Sequence, residues 1–194
     1  MEEKLRQQKD ALEAKMRELC RIERKIDNRL RGIADAKMSP LGVIRRVVSP
    51  RARFVWMTMA DSFHIDSFLD METPIQDLAR HTEEAVVFLG KVGVGISAEH
   101  LQSGAFSEYD GVFLVLDDED QYTGEVMRLP ETECVSIRFQ GSHPEAPAQY
   151  EKLLTHIREN GLCITGFSRE ITLIDYGFTN DTEKFVTEIR IPIA

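Results

Sequence analysis

Cysteine is scarce and scattered. The three thiols, Cys20, Cys134 and Cys163, are odd in number and form no C-x-x-C pair. That excludes a disulfide framework and a zinc knuckle, and predicts a reduced, cytosolic chain. No apolar run approaches the ~18 residues a spanning helix needs, so no membrane span is expected. The opening MEEKLRQQKD is charged from the start and carries no secretory pattern. The five histidines, His64, His81, His100, His143 and His156, show no ligand spacing, so neither a metal nor a cofactor is expected. G-K-V-G-V-G (90–95) lacks the Walker spacing and opens no helix, and reads as a turn into a strand. G-I-S-A-E (95–99) lacks the second glycine of a nucleophile elbow. His143, in GSHPEAP, reads as a residue of a helix-cap region.

What is present is one domain's worth of chain with an appendage: 194 residues, 42% hydrophobic and 29% charged. That is enough apolar material for a core, which excludes full disorder. The net charge of −9 is unevenly spread. Residues 1–35 hold ten Lys/Arg against eight Asp/Glu, net +2, and residues 36–194 hold fourteen against twenty-five, net −11. An acidic body repels a phosphate backbone and attracts cations.

Residues 2–34 contain no proline, and their first glycine is Gly32. Leu5, Leu12, Leu19, Ile26 and Ile33 recur every seventh residue, with Met16, Ile22 and Leu30 in part of a second row. This heptad stripe predicts one long coiled-coil helix that pairs with a second helix and makes the chain a homodimer. Lys9 and Glu23 interrupt the seam. They weaken the coil and help fix one register. Packing of the helix on its own domain is the alternative. Ser39-Pro40 and Ser49-Pro50 bracket a connector at 36–50, because proline disfavours helix in the residue before it; Val43-Ile44 and Val47-Val48 offer it a short strand.

The body, 51–194, reads as a duplication. RARFVWMTM (51–59) is β-rich. A helix is predicted over 73–90, with Thr73 as N-cap, Pro74 at its first position and an apolar face of Ile75, Leu78, Ala79, Ala85, Val86 and Leu89; Gly90 and Gly93 end it. VGVGIS (92–97) and YDGVFLVLDD (109–118) read as strands. The order then recurs: β-rich segments at 125–129 and 134–139, a helix over 145–160 with Tyr150, Leu153, Leu154 and Ile157 as its stripe, and strands at 163–177 and 185–193. Two strand-helix-strand-strand units predict an α+β domain, an antiparallel sheet with helices on one face. The other face is free to form a groove between the halves.

The ending, REITLIDYGFTNDTEKFVTEIRIPIA, resembles the end of the GyrI-like effector-binding domains of MerR-type, BmrR-like transcription regulators. The resemblance covers 40–194, and the long preceding helix matches the linker that pairs antiparallel in such dimers. It implies a small-molecule sensor, with DNA bound only through a helix-turn-helix that this chain does not supply. The expectation is a fragment of a longer regulator or a sensor without its reader; the start inside a heptad pattern favours the fragment.

The resemblance also implies a carboxylate on the next-to-last strand that meets a ligand's positive charge, and Glu170 is the matching position. Alternation places it with Ile164, Ser168, Thr172 and Ile174. A carboxylate in such surroundings needs a counter-charge or a proton. On pattern alone, the alternative is a solvent-facing Glu170 on a sheet edge, paired with Arg169 or Arg190. Glu188 and Phe185, on the last strand, match an acidic position and a pocket-opening aromatic, with an Arg pair as the alternative for Glu188. Flat lipophilic cations are held by ring faces. Trp56, Tyr109, Phe139 and Phe167 complete the candidate ligand site, and Phe113, Tyr176 and Phe178 are further aromatics. The expected function is sensing of a lipophilic, cationic or aromatic drug, without catalysis. The alternative is a GyrI-like hydrolase of strained-ring toxic compounds that uses Glu170 and Glu188 as acid and base.

Overall fold

A computed structural model describes residues 2–66, 68–82, 91–175, 177 and 179–194. One helix, α1 (Glu2–Met38), precedes β1 (Ile44–Ser49), β2 (Ala52–Phe63), α2 (Glu72–Ala79), β3 (Val92–Gly95), α3 (Ala98–Ser103), β4 (Tyr109–Leu116), β5 (Met127–Leu129), β6 (Thr132–Gln140), α4 (Ala146–Glu159), β7 (Arg169–Ile174) and β8 (Val186–Pro192). The eight strands among the described residues form one antiparallel sheet in the order β1-β6-β8-β7-β3-β4-β2-β5.

That order displays the duplication. β2-α2-β3-β4 and β6-α4-β7-β8 are equivalent, and their strands are arranged as mirror-ordered triplets that meet at β3 and β7. Among the described residues, the aligned pair across that meeting line is Val94 with Glu170. The connector joins the sheet: β1 pairs with β6 from Ile44 opposite Ile137 to Ser49 opposite Thr132.

One face of the sheet is closed by α4, whose Tyr150, Leu153, Leu154 and Ile157 are buried as the 3.6-residue period requires. They pack with Val94, Val112, Ile137, Ile189 and Ile191 in the main core. The second helix departs from expectation. α2 starts after Met71, with no side-chain cap, so Thr73 lies within its first turn instead of capping it. Pro74 and Leu78 are buried and Ala79 is exposed. Ala85, Val86, Leu89 and Gly90 lie outside the described residues, and Gly93 belongs to β3. The short α3 was not anticipated. Ser97 is its N-cap, accepting from the His100 amide, and Gly104 closes it at φ 84°, so the G-I-S-A-E serine is a cap.

The long helix has two working faces. Lys25, Arg29 and Ala36 are buried against the body: Lys25 pairs with Asp120, Arg29 with Asp175 at 3.6 Å, and Ala36 packs with Ile174 and Val186 beside Ile33 and Leu173. Asp35 receives Arg138 at 2.7 Å. Burial lowers the Arg29 pKa, offset in part by Asp175. The heptad stripe lies on an adjacent face and points away: Leu5, Leu12, Met16, Leu19, Ile26 and Leu30 are exposed. Both packing arrangements read from the sequence are therefore available to one helix, on different faces.

Candidate ligand-binding site

Glu170 has no exposed surface. Its alignment with Ile189 on one side and Val94 on the other turns its side chain under α4. Two groups converge on it. The Tyr109 hydroxyl lies 3.0 and 3.1 Å from the two carboxylate oxygens. His143 Nδ1 lies 2.6 Å from Oε1. Beneath them the Tyr150 hydroxyl and Ser168 Oγ are 2.9 Å apart, and Ser168 Oγ accepts from the Ile96 amide at 2.9 Å. The hydrogen-bonding partners of this carboxylate are thus an imidazole and a phenol. Among the described residues, no Lys or Arg reaches it. This excludes the solvent-facing pair with Arg169 or Arg190.

Local sequence explains the placement. Ser142 and Glu145 form a capping box at the turn before α4, so His143 is indeed a cap-region residue, but one aimed at the sheet. Burial, then the charge of Glu170 and the neighbouring Tyr150, push the Tyr109 phenol far above its usual range. Burial and Glu170 likewise raise Tyr150. Both stay protonated, and Tyr109 remains a donor. Phe63 lies 6.0 Å from the Tyr109 ring, His143 meets that ring edge-on at 5.8 Å, and Phe106 stacks near Tyr150 at 6.0 Å.

The opposite face carries other candidates. Trp56 and Phe167 are in ring contact at 4.4 Å, Phe54 lies 5.6 Å from Phe167, and Phe54 stacks on Phe113 at 4.8 Å. The glycines of VGVG make this possible. A Cβ on Gly93 would enter the Phe113 ring and the backbone oxygen of Glu170, and one on Gly95 would meet Trp56 and the backbone oxygen of Ser168. The stretch is a strand whose bare backbone carries flat rings. Glu188, aligned with Ile171 and Arg138, is on this face too. It is held by Arg190 at 2.8 Å, by Arg138 Nε at 3.1 Å and by Ser136 at 3.2 Å. This is the arginine pairing that alternation left open. Burial alone would lower the Arg138 pKa; hydrogen bonds to Asp35 and Glu188 and their charge outweigh it and raise the value.

A model of the GyrI-like small molecule binding domain matches residues 70–194. The chain belongs to the GyrI-like family. No curated protein matches it. Among solved structures, the GyrI-like domain here is similar to the C-terminal domain of EcmrR, a MerR-type regulator, with TM-score 0.58 and 13% identity, over 78% of this chain and 97% of that one. It is also similar to EcmrR in a complex with DNA, with TM-score 0.59 and 14% identity, over 92% of this chain and 68% of that one. A protein described as a hydrolase from Listeria innocua is similar at TM-score 0.50 and 16% identity, over 82% of this chain and 96% of that one. These likenesses are likenesses of fold.

The candidate residues of this GyrI-like domain therefore divide. Glu170 and Tyr109 meet under α4. Trp56 and Phe167 meet on the far side, with Glu188 on the same face. Phe139 is in the core beneath α4. Phe185 is buried just before β8. Tyr176 and Phe178 lie outside the described residues. Sequence reasoning missed His143 as a partner of Glu170, because a residue 27 positions away meets the strand only once α4 is docked.

Proposed function

We propose that this GyrI-like domain is the sensor of a MerR-type regulator and that its effector is a lipophilic cation, or an aromatic compound carrying positive charge, held at Glu170. The observation that carries this reading is the Glu170 carboxylate itself: fully buried, fixed by Tyr109 and His143, and without a permanently cationic partner among the described residues. Two carboxylate oxygens offer about four acceptor sites, so three contacts leave capacity for a ligand. The Tyr109, Phe63 and His143 rings give it an aromatic border, and the body's net −11 raises the local cation concentration.

The regulator reading draws support from α1. A match over 92% of the chain to EcmrR in its DNA complex takes in part of this helix, and its exposed heptad stripe suits a second copy in a homodimer. Effector binding acts by population shift: it favours whichever seating of α1 goes with the occupied site.

Calorimetric titration of the wild type and Glu170→Gln with one cationic and one neutral dye of similar size tests the site. A charge-assisted contact of roughly 1.5–3 kcal/mol predicts a loss of about ten- to a hundredfold for the cation and little change for the neutral dye. Equal losses reduce Glu170 to a shaping role, and no loss for either dye removes it from the site.

A second reading rests on one observation: a phenol, an imidazole and a carboxylate in mutual contact are also an acid–base set. The hydrolysis of a strained-ring electrophile is the corresponding activity.

A further inference from the structure

On the sheet face away from Glu170 lies a cleft of about 260 Å³. Its floor is Phe113, Ile171 and Leu173, Phe54 forms one wall, and Arg169, Arg190, Lys91 and Glu188 bring charge to it. The volume lies just below the usual range for drug-sized ligands, which points to a small occupant.

The charges do not balance. Lys91 is neutralised by Asp117. Glu188 is shared between Arg190 and Arg138. Arg169 is left over: among the described residues no carboxylate pairs with it, and its guanidinium reaches only the weak acceptor Cys134 Sγ, at 3.1 Å. Arg169 is also aligned directly with Arg190 across β7 and β8. Like charges opposite one another destabilise a sheet. Arg190 Nε is buried without a hydrogen-bond partner. Two guanidinium groups thus meet at the rim of an apolar, ring-lined floor, in a body that is acidic elsewhere.

We propose that this cleft is a second ligand site, for a small aromatic carboxylate: the ring lies on Phe113 and Ile171, and the carboxylate bridges Arg169 and Arg190. A planar guanidinium matches that geometry, and Arg pairs with carboxylates by paired N–H···O bonds. The site is distinct from Glu170 in face and in sign of charge. It also adjoins the seat of α1. Leu173 lines the cleft and packs beside Ile33 and Ala36, and Glu188 leads through Arg138 to Asp35. No α1 residue lines it, so the helix does not fill it.

Titration of the whole chain with 2-naphthoate, and with the neutral 2-naphthylmethanol as control, tests this, with methyl resonances locating the site. The expected result is preferential binding of naphthoate, shifts at Val115, Ile171 and Leu173 and none at Leu153 or Ile189. Arg169→Gln is expected to weaken naphthoate about ten- to a hundredfold and to leave the alcohol unchanged. Naphthoate binding no tighter than the alcohol, shifts confined to the α4 side, unaltered affinity in a folded Arg169→Gln, or no binding in the millimolar range each overturn the proposal. The wild-type shifts decide the matter even if the variant does not fold.

Discussion

Glu170 and Glu188 stand on neighbouring strands and face away from each other. Glu170 is aligned with Ile189 and Glu188 with Ile171, so the pleat sends one carboxylate under α4 and the other through the sheet's far face. The two cannot act on one substrate atom as acid and base. That corrects the catalytic pairing that their neighbouring strands suggest.

For catalysis the expected outcome is no turnover of strained-ring electrophiles above the rate in buffer. Product formation followed by chromatography checks it. Turnover abolished by Glu170→Gln and by Tyr109→Phe, yet retained in Glu188→Gln, would establish the hydrolase reading on the single buried carboxylate.

Tyr109→Phe removes the donor to both Glu170 oxygens and leaves His143 as the partner. A hydrogen bond to a charged group contributes about 1.5–3 kcal/mol, and urea unfolding should show a loss of that order. An unchanged midpoint would mean that water or His143 replaces the phenol without cost.

Gly93→Ala should be among the most damaging small substitutions. The added methyl meets backbone of β7 as well as Phe113, and backbone in a central strand has little room to yield. A loss of about 3 kcal/mol or more is expected, read as a fall in melting temperature. Gly32→Ala, with open space around it in a helix, should instead be neutral or stabilise by up to about 1 kcal/mol.

Leu12→Glu with Leu19→Glu places charge on the exposed stripe of α1 without touching the docked face that holds Lys25, Arg29 and Ala36. Sedimentation at micromolar concentration should show a dimer for the wild type and a folded monomer for the variant. A wild-type monomer would leave α1 as a brace on its own domain, and a persistent dimer would move the interface to the body.

Alkaline pH should unfold the protein through two phenols. Burial and the nearby Glu170 charge raise the pKa values of Tyr109 and Tyr150 above the ordinary phenol value of 10.0 in the folded state. Above that value the unfolded chain releases protons that the folded chain keeps, so stability, intact below about pH 10, falls as pH rises. Each group contributes roughly 1.4 kcal/mol per pH unit. Melting temperature against pH, with phenolate absorbance, checks this: both tyrosines should ionise only on unfolding.

The sequence alone was enough for the long helix, the α+β class and the repeat. Each rests on local periodicity: seven in α1, about 3.6 in α4, two in the strands. The family could be read too, because strand order and the terminal segment are properties of the chain. Alternation even set Thr172 beside Glu170 and Arg190 beside Glu188, but β7 begins only at Arg169 and its register shifts after Thr172, so Ile164 and Ser168 lie outside that strand.

Which sides of the sheet those residues occupy, and what meets them there, was decided in three dimensions. A period of two separates a strand's faces without saying which face a helix will cover. The meeting of Glu170 with Tyr109 and His143 requires β7 to lie next to β3 and α4 to dock over both. The alignment of Arg169 with Arg190 depends on the register between β7 and β8, a backbone hydrogen-bond choice fixed by the packing of Ile189 and Val94 in the core. In α1, likewise, the heptads marked one apolar stripe, while the charged face that carries Lys25 and Arg29 became the docked one only because Asp120 and Asp175 await it on the body.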